Sequence, residues 1–458
     1  MQQPGICLHW RLVKKMGDLL CKTFGNQQGQ RDIILSGTHI GMASTSVLEP
    51  MINLYKYTGD KKYLDFCYYI LSSWEQKNGS KIISTLLETG KVNKVANGKA
   101  YEMLSNFTGL IKLYKLTGNK KLLTPVLIAW QDIVDNKLYV TGSTSSFEHF
   151  QEDKMLPATN DDHMGEGCVT TTWMQFNQVL LDITGDLKYY DHIEKSIYNH
   201  LLAAENPVDG CVSYYTALMG KKPYSCSITC CTSSVPRGIG MIPYFTFGSI
   251  SNIPTVLNYE PATYKETITI SNNKNINLTL KIDGGFPENG ETVITVTTSQ
   301  TAYFPIALRV PSWSEFFVAT VNQKEYKGRV NELLNIERQW KSGDKIKVFF
   351  KMPVKILSGG KSYPEQVAFQ RGPQVLAYDS SLNTTSNIDT NTTYVVKNLN
   401  VINQKSILPK QWIGTQAYTI DFMNNNNKMV QKMIVVPYAD ASQAGTDIKV
   451  WLLVKVVQ

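Results

Sequence analysis

Near residue 245 the apolar pattern of this chain changes period, and that switch restricts the fold to a helical part followed by a sheet part. Before it, apolar residues recur at helical spacing, as in Leu48, Met51, Ile52 and Tyr55. After it, short alternating runs such as TVITVTT (292–298) and IKVFFK (346–351) stand between Gly, Asn and Pro turns. A chain of 458 residues is too long for one core, so several domains are expected.

The helical part repeats itself. LYKYTGDKKYLDF begins at Leu54, LYKLTGNKKLLTP at Leu113 and LLDITGDLKYYDH at Leu180. In each, an apolar helix ends at Thr-Gly and an Asp or Asn caps the next. Helical hairpins repeated at this spacing predict a toroid or solenoid whose units cover one another's apolar faces. The β part divides into two units. One closes with NIERQWKSGDKIKVFFKMP, and the other runs from EQVAFQRGPQVLAYD (365–379) to DIKVWLLVKVV (447–457). Asn424 to Asn427 read as a surface connection.

The formal charge is +8, but Lys and Arg are scattered and interleaved with acids, so no nucleic-acid partner is expected. No apolar stretch reaches the roughly 18–20 residues that cross a bilayer, so no membrane partner is expected either. MQQPGICLHWRLVKKMGDLL has no continuous apolar core and no small-residue cleavage site, which reads as cytoplasmic. A leader encoded upstream would redirect the protein to the periplasm or outside the cell. The sequence leaves a homodimer open.

Eight cysteines in a chain this long are not a disulfide scaffold. Cys168, Cys211, Cys226, Cys230 and Cys231 crowd one stretch, which favours a site over staples. Glu166 and Cys168 precede the apolar helix VTTTWMQFNQVLLDITG, and Cys230 and Cys231 precede TSSVPRGIG, so both pairs are expected at helix entries. Three thiols and a carboxylate can close a tetrahedral zinc site. Unligated structural thiols and thiol redox chemistry at Cys230–Cys231 are the competing readings.

Glu148 lies in SSFEHFQEDKMLP between Phe147 and Phe150. A carboxyl partly buried against aromatics has its neutral form favoured, which suits a general acid, although acidic loops of this kind are mostly solvated surface. His39 reads first as a packing or capping residue at a helix mouth. Tyr214 and Tyr215 could line a pocket, though core aromatics are the commoner outcome. No phosphate loop, dinucleotide fingerprint or G-x-S-x-G elbow is present.

The order Glu148, Leu156-Pro157, Glu166-x-Cys168, Cys230-Cys231 resembles glycoside hydrolase family 127, the β-L-arabinofuranosidases and their relatives. FPIALRVPSW, VNQKEYKG and IERQWKSGDKIKVFFKMP resemble that family's first β-sandwich, and VAFQRGPQVLAYD the start of its second. The resemblance implies a six-hairpin α/α barrel over 1–247, a first β-sandwich over 248–357 and a second over 358–458. It implies a Zn2+ ion on Glu166, Cys168, Cys230 and Cys231, with Cys230 as nucleophile and Glu148 as acid/base. Tyr215 and His39 become substrate-binding residues, and an oligosaccharide or glycoside becomes the partner. Seven or eight helices are legible before residue 245 where six hairpins need twelve, so the barrel is expected to lack its early hairpins. The approach to the cysteine pair is shorter than in the founding members, which implies a sugar preference of its own. Against a retaining arabinofuranosidase stands a protein of another class, an inactive carbohydrate-binding or structural protein with a structural zinc.

Overall fold

A computed structural model describes residues 4–270, 274–383, 405–423 and 429–453. Asn424 to Asn427 lie outside the described residues. The chain forms two compact units, one of residues 1–139 with 144–156 and one of 140–143 with 157–458. A helical region precedes the sheets, as the change of period predicts.

The first unit holds α1 (Pro4–Thr23), α2 (Met42–Thr45), α3 (Leu48–Thr58), α4 (Lys61–Trp74), α5 (Ile82–Thr89), α6 (Ala100–Thr117) and α7 (Lys120–Asp132). The second opens with α8 (Gly167–Thr184), α9 (Leu187–Ser196) and α10 (Cys231–Thr246). These ten among the described residues exceed the seven or eight legible in the sequence. One reason is that a single turn such as α2 has no apolar period to detect.

The Thr-Gly-Asp/Asn signals form the turns of three helical hairpins. Gly59, Gly118 and Gly185 end α3, α6 and α8 with φ of 68°, 69° and 68°, a left-handed conformation that glycine adopts without a Cβ penalty. Asp60, Asn119 and Asp186 then accept from the backbone N–H of Lys62, Lys121 and Lys188, capping α4, α7 and α9. In the first unit α3 buries Leu48, Met51, Ile52 and Leu54, each worth about 1.5–3 kcal/mol if fully buried, and packs on both α4 and α6.

Among the described residues the second unit carries three larger sheets and one two-stranded sheet, Val212–Ser213 with Tyr224–Ser225, which stands before α10 in the part read from the sequence as helical. A six-stranded antiparallel sheet runs, in spatial order, Lys324–Lys327, Phe317–Val321, Asp344–Phe350, Glu291–Thr298, Lys274–Gly284, Ala262–Ile270. A four-stranded sheet runs Leu333–Trp340, Ala302–Arg309, Ile253–Val256, Phe247–Ile250, its middle pair parallel. The turn at 341–343 therefore passes from one sheet to the other. The third sheet is centred on the hairpin Gln366–Arg371 and Gln374–Asp379, with Met429–Pro437 and Tyr418–Met423 beyond it. The run 447–457, which closes the second β unit in the sequence, holds two short strands, Ile448–Lys449 and Leu452–Leu453, and 454–457 lie outside the described residues. The two pieces pair with different strands, which splits the run.

Two links fix the sheets to other parts of this unit. Arg309, fully buried, meets Asp191 at 2.6 Å and Glu194 at 2.8 Å on α9 and lies over the Tyr190 ring. The third sheet also reaches the segment between Ser213 and Cys230: Met219 and Gly220 pair with Lys449 and Ile448. Tyr438 donates its hydroxyl to the carbonyls of Thr216 and Ala217, and Lys222 donates to the Tyr438 carbonyl at 2.6 Å.

Candidate functional site

Two helix starts in the second unit bring four side chains together. Glu166 is the N-cap residue of α8, Cys168 lies in its first turn, Cys230 is the N-cap residue of α10 and Cys231 opens it. One ligand atom from each lies within 4.8 Å of all the others. The approach depends on small residues. A Cβ at Gly167 would stand 2.5 Å from Val235 Cγ2, and one at Gly238 would stand 2.7 Å from Thr171 Oγ1, so α8 and α10 pack at near-backbone distance. Thr171 Oγ1 donates to the Ser234 carbonyl across the same contact.

The loop into α8 is held from behind. Buried His200 meets the Gly165 carbonyl through Nε2 and Thr141 Oγ1 through Nδ1, both at 2.9 Å, and burial pushes its pKa down to about 4. A Cβ at Gly165 would stand 2.3 Å from that ring. The Gly167 N–H donates to the Tyr214 carbonyl, and Glu166 bridges Tyr215 in a short antiparallel pairing. Sequence reasoning did not single out His200; its buried contacts are the signal, and they exist only in the fold.

Glu166, Cys168 and Cys231 are buried, whereas Cys230 is exposed. Cys168 Sγ stands 3.5 Å from Cys231 Sγ, and Cys230 Sγ stands 3.9 Å from Glu166 Oε1. Tetrahedral ligation with metal–sulfur bonds of about 2.3 Å sets sulfurs about 3.8 Å apart, so modest adjustments seat a divalent ion. The hydrogen bond from Cys231 holds the Cys168 thiol down to about 6. Burial pushes Cys230 up to about 11, while the bond to Cys168 and burial drive Cys231 higher still. A bound cation would favour the thiolate at all three sulfurs. The donor set therefore fits a soft divalent metal, and could hold one.

The hydroxyl next to Cys230 belongs to Tyr214, 3.2 Å from Sγ. Tyr215 instead stacks on His163, ring centroids 4.7 Å apart and nearly parallel. Cys211 and Cys226, read from the sequence as part of a site rather than a staple, are joined in a disulfide. It closes the segment that carries Tyr214 just before Cys230. Five crowded cysteines thus split into three clustered with Glu166 and two cross-linked, a division that depends on which chain segments pair.

Glu148 and His39 lie in the first unit. Glu148 sits where 146–150 runs beside 97–100: the Ala100 N–H donates to the Glu148 carbonyl, and the Phe150 N–H to that of Gly98. Ser145, Phe147 and Glu148 take φ of 78°, 48° and 64°, costly for residues with a Cβ. The expected aromatic shelter is half present. Phe150 is buried, Phe147 is 53% exposed, and the group meeting the carboxylate is the ammonium of buried Lys99. Lys99 is a partner sequence reasoning missed. His39 contacts Asn97 Nδ2 through Nδ1 at 3.0 Å, faces Glu102 and stands edge-to-face with the ring of His149, next to Glu148. Burial lowers its pKa.

Residues 9–243 match the family model described as "Beta-L-arabinofuranosidase, GH127 catalytic domain", and 263–352 match the GH127 middle domain. A non-reducing end β-L-arabinofuranosidase of Bifidobacterium longum subsp. longum is 25% identical over 419 residues, 80% of this chain. The chain spans 60% of that curated relative's length. Among solved structures, a GH127 β-arabinofuranosidase is 23% identical with a TM-score of 0.77, over 96% of this chain and 72% of that one. A GH127 β-L-arabinofuranosidase from Geobacillus stearothermophilus T6 is 20% identical with a TM-score of 0.77, over 97% and 76%. These two likenesses bear on the fold.

Proposed function

Because this chain belongs to glycoside hydrolase family 127, we propose that it is a retaining, zinc-dependent glycosidase releasing β-L-arabinofuranose or a related sugar from plant-type glycans. The single observation that carries the reading is the cluster itself: three sulfurs and a carboxylate on two helix starts, with Cys230 alone exposed. In this reading 1–247 belongs to a six-hairpin α/α barrel, and 248–357 and 358–458 are two β-sandwiches.

Glu166, Cys168, Cys230 and Cys231 hold the zinc, which when bound supplies the positive charge that keeps the sulfurs deprotonated near neutral pH. The start of α10 adds its own partial positive charge at Cys230. Cys230 Sγ attacks the anomeric carbon as the glycosidic C–O bond breaks, and Glu148 gives its proton to the departing oxygen. A C–S bond to the sugar results. Glu148, now a carboxylate, takes a proton from water; the water oxygen displaces Sγ, and the sugar leaves with its configuration retained. Tyr214 donates to or accepts from the sulfur as its charge changes. Tyr215 and His39 contact the sugar.

Turnover of an aryl β-L-arabinofuranoside tests this, with intact-mass analysis of a Glu148→Gln variant. The expected results are loss of turnover in Cys230→Ala and a sugar adduct on Cys230 that accumulates in Glu148→Gln. Parental turnover by Cys230→Ala would overturn the nucleophile. Glycan binding without turnover in the parent would favour a binding protein.

A further inference from the structure

A polar cavity of about 330 Å³ opens in the second unit between α9, the loop at 312–313 and the third sheet. Three lysines line it, Lys188 and Lys195 from α9 and Lys355 from the strand Val354–Ser358. Its two carboxylates are already engaged. Asp191 is bonded to Arg309 at 2.6 Å, and Glu194 takes two bonds from Arg309 and one from Trp313 Nε1. The ammonium groups of Lys195 and Lys355 have no ion-pair or hydrogen-bond partner among the described residues. A half-buried ammonium left this way carries a desolvation cost that a bound anion relieves through charge-assisted hydrogen bonds. Burial lowers the pKa of Lys195, against the opposing pull of the nearby Asp191 carboxylate.

The cavity is far larger than an inorganic anion, and Ser312 and Gln370 on its wall can exchange hydrogen bonds with sugar hydroxyls. We propose that this cavity is an accessory site for one carboxylated sugar residue, a uronate, its carboxylate held by Lys195 and Lys355. The choice of a sugar over other organic anions rests on the glycosidase reading; the cationic character of the site does not. Such a site would favour acidic glycans without touching the reacting bond.

Calorimetric or NMR titration of the whole chain with galacturonate, galactose and inorganic phosphate tests it. Galacturonate is expected to bind at least about tenfold more tightly than galactose. Lys195→Met and Lys355→Met should each weaken galacturonate binding about tenfold, while Lys195→Arg retains it. Both methionine variants should keep parental turnover of an uncharged aryl arabinofuranoside, and melting curves verify that they fold. Cys230→Ala should bind galacturonate like the parent, which separates this test from the fate of the glycosidase reading. Phosphate binding without galacturonate binding, equal binding of galactose, or no binding at all would overturn the proposal.

Discussion

The Glu166–Cys168–Cys230–Cys231 cluster and the Glu148 loop are built by opposite means. The cluster is held by packing: two helix starts meet over Gly167 and Gly238, buried His200 supports one from behind, and the third sheet grips the chain leading to the other. The Glu148 loop is held by charge and by a strained backbone. Lys99 meets its carboxylate, and Lys137 and Lys91 fasten Asp153 a few residues on at 2.7 and 2.6 Å. A ligand cage needs fixed distances, which close packing supplies. Under the proposed function, a group that gives and takes a proton can instead be governed by its nearest charge, here Lys99.

That contrast can be broken by substitution, beginning with the ligands. Cys168→Ser should lower zinc affinity by more than about 10²-fold and abolish turnover, as read by chelator competition. Glu148→Gln should leave zinc content intact. If the two variants behaved alike, the division between packed cage and charged loop would fail.

Next in size is the disulfide. Removing it with Cys211→Ser and Cys226→Ser together should cost about 3 kcal/mol, the loop-closure value for a separation of 15 residues, measured by denaturant unfolding. Zinc should then be lost at a lower chelator concentration, because the segment ending at Cys230 is freed.

Gly167→Ala is a steric probe of the cage. Its Cβ would collide with Val235 Cγ2 at 2.5 Å, so about 1–3 kcal/mol of stability should go, together with zinc affinity. A melting curve and zinc content identical to the parent would show that the helix starts are not tightly packed.

Lys99→Met should have the smallest effect on stability, about 1 kcal/mol, since the pair is partly solvated. It should change the pH profile of turnover without changing zinc content. An unchanged profile would leave Lys99 as scaffold only.

What the sequence reveals follows the range of the physics. The Thr-Gly-Asp turns are legible because a left-handed glycine and an N-cap act within a few residues. The cluster is legible as two short motifs because each pair of ligands shares one helix entry. Lys99 is not, because it reaches Glu148 across 49 residues of sequence. Nor is the division of cysteines: Cys211 and Cys226 look like Cys168 and Cys230 until chain pairing separates them. Tyr214 and Tyr215 are adjacent and chemically equal, so only the backbone direction beside Glu166 decides which hydroxyl meets the sulfur. The sheet change at 341–343 is hidden for a similar reason, since a turn between two alternating strands reads as a hairpin.

X-ray absorption at the zinc edge of the purified protein reads the proposed ligand shell itself. One zinc per chain is expected, with three sulfurs at about 2.3 Å and one oxygen at about 2.0 Å. A protein free of metal, or a shell of nitrogen and oxygen alone, would contradict it.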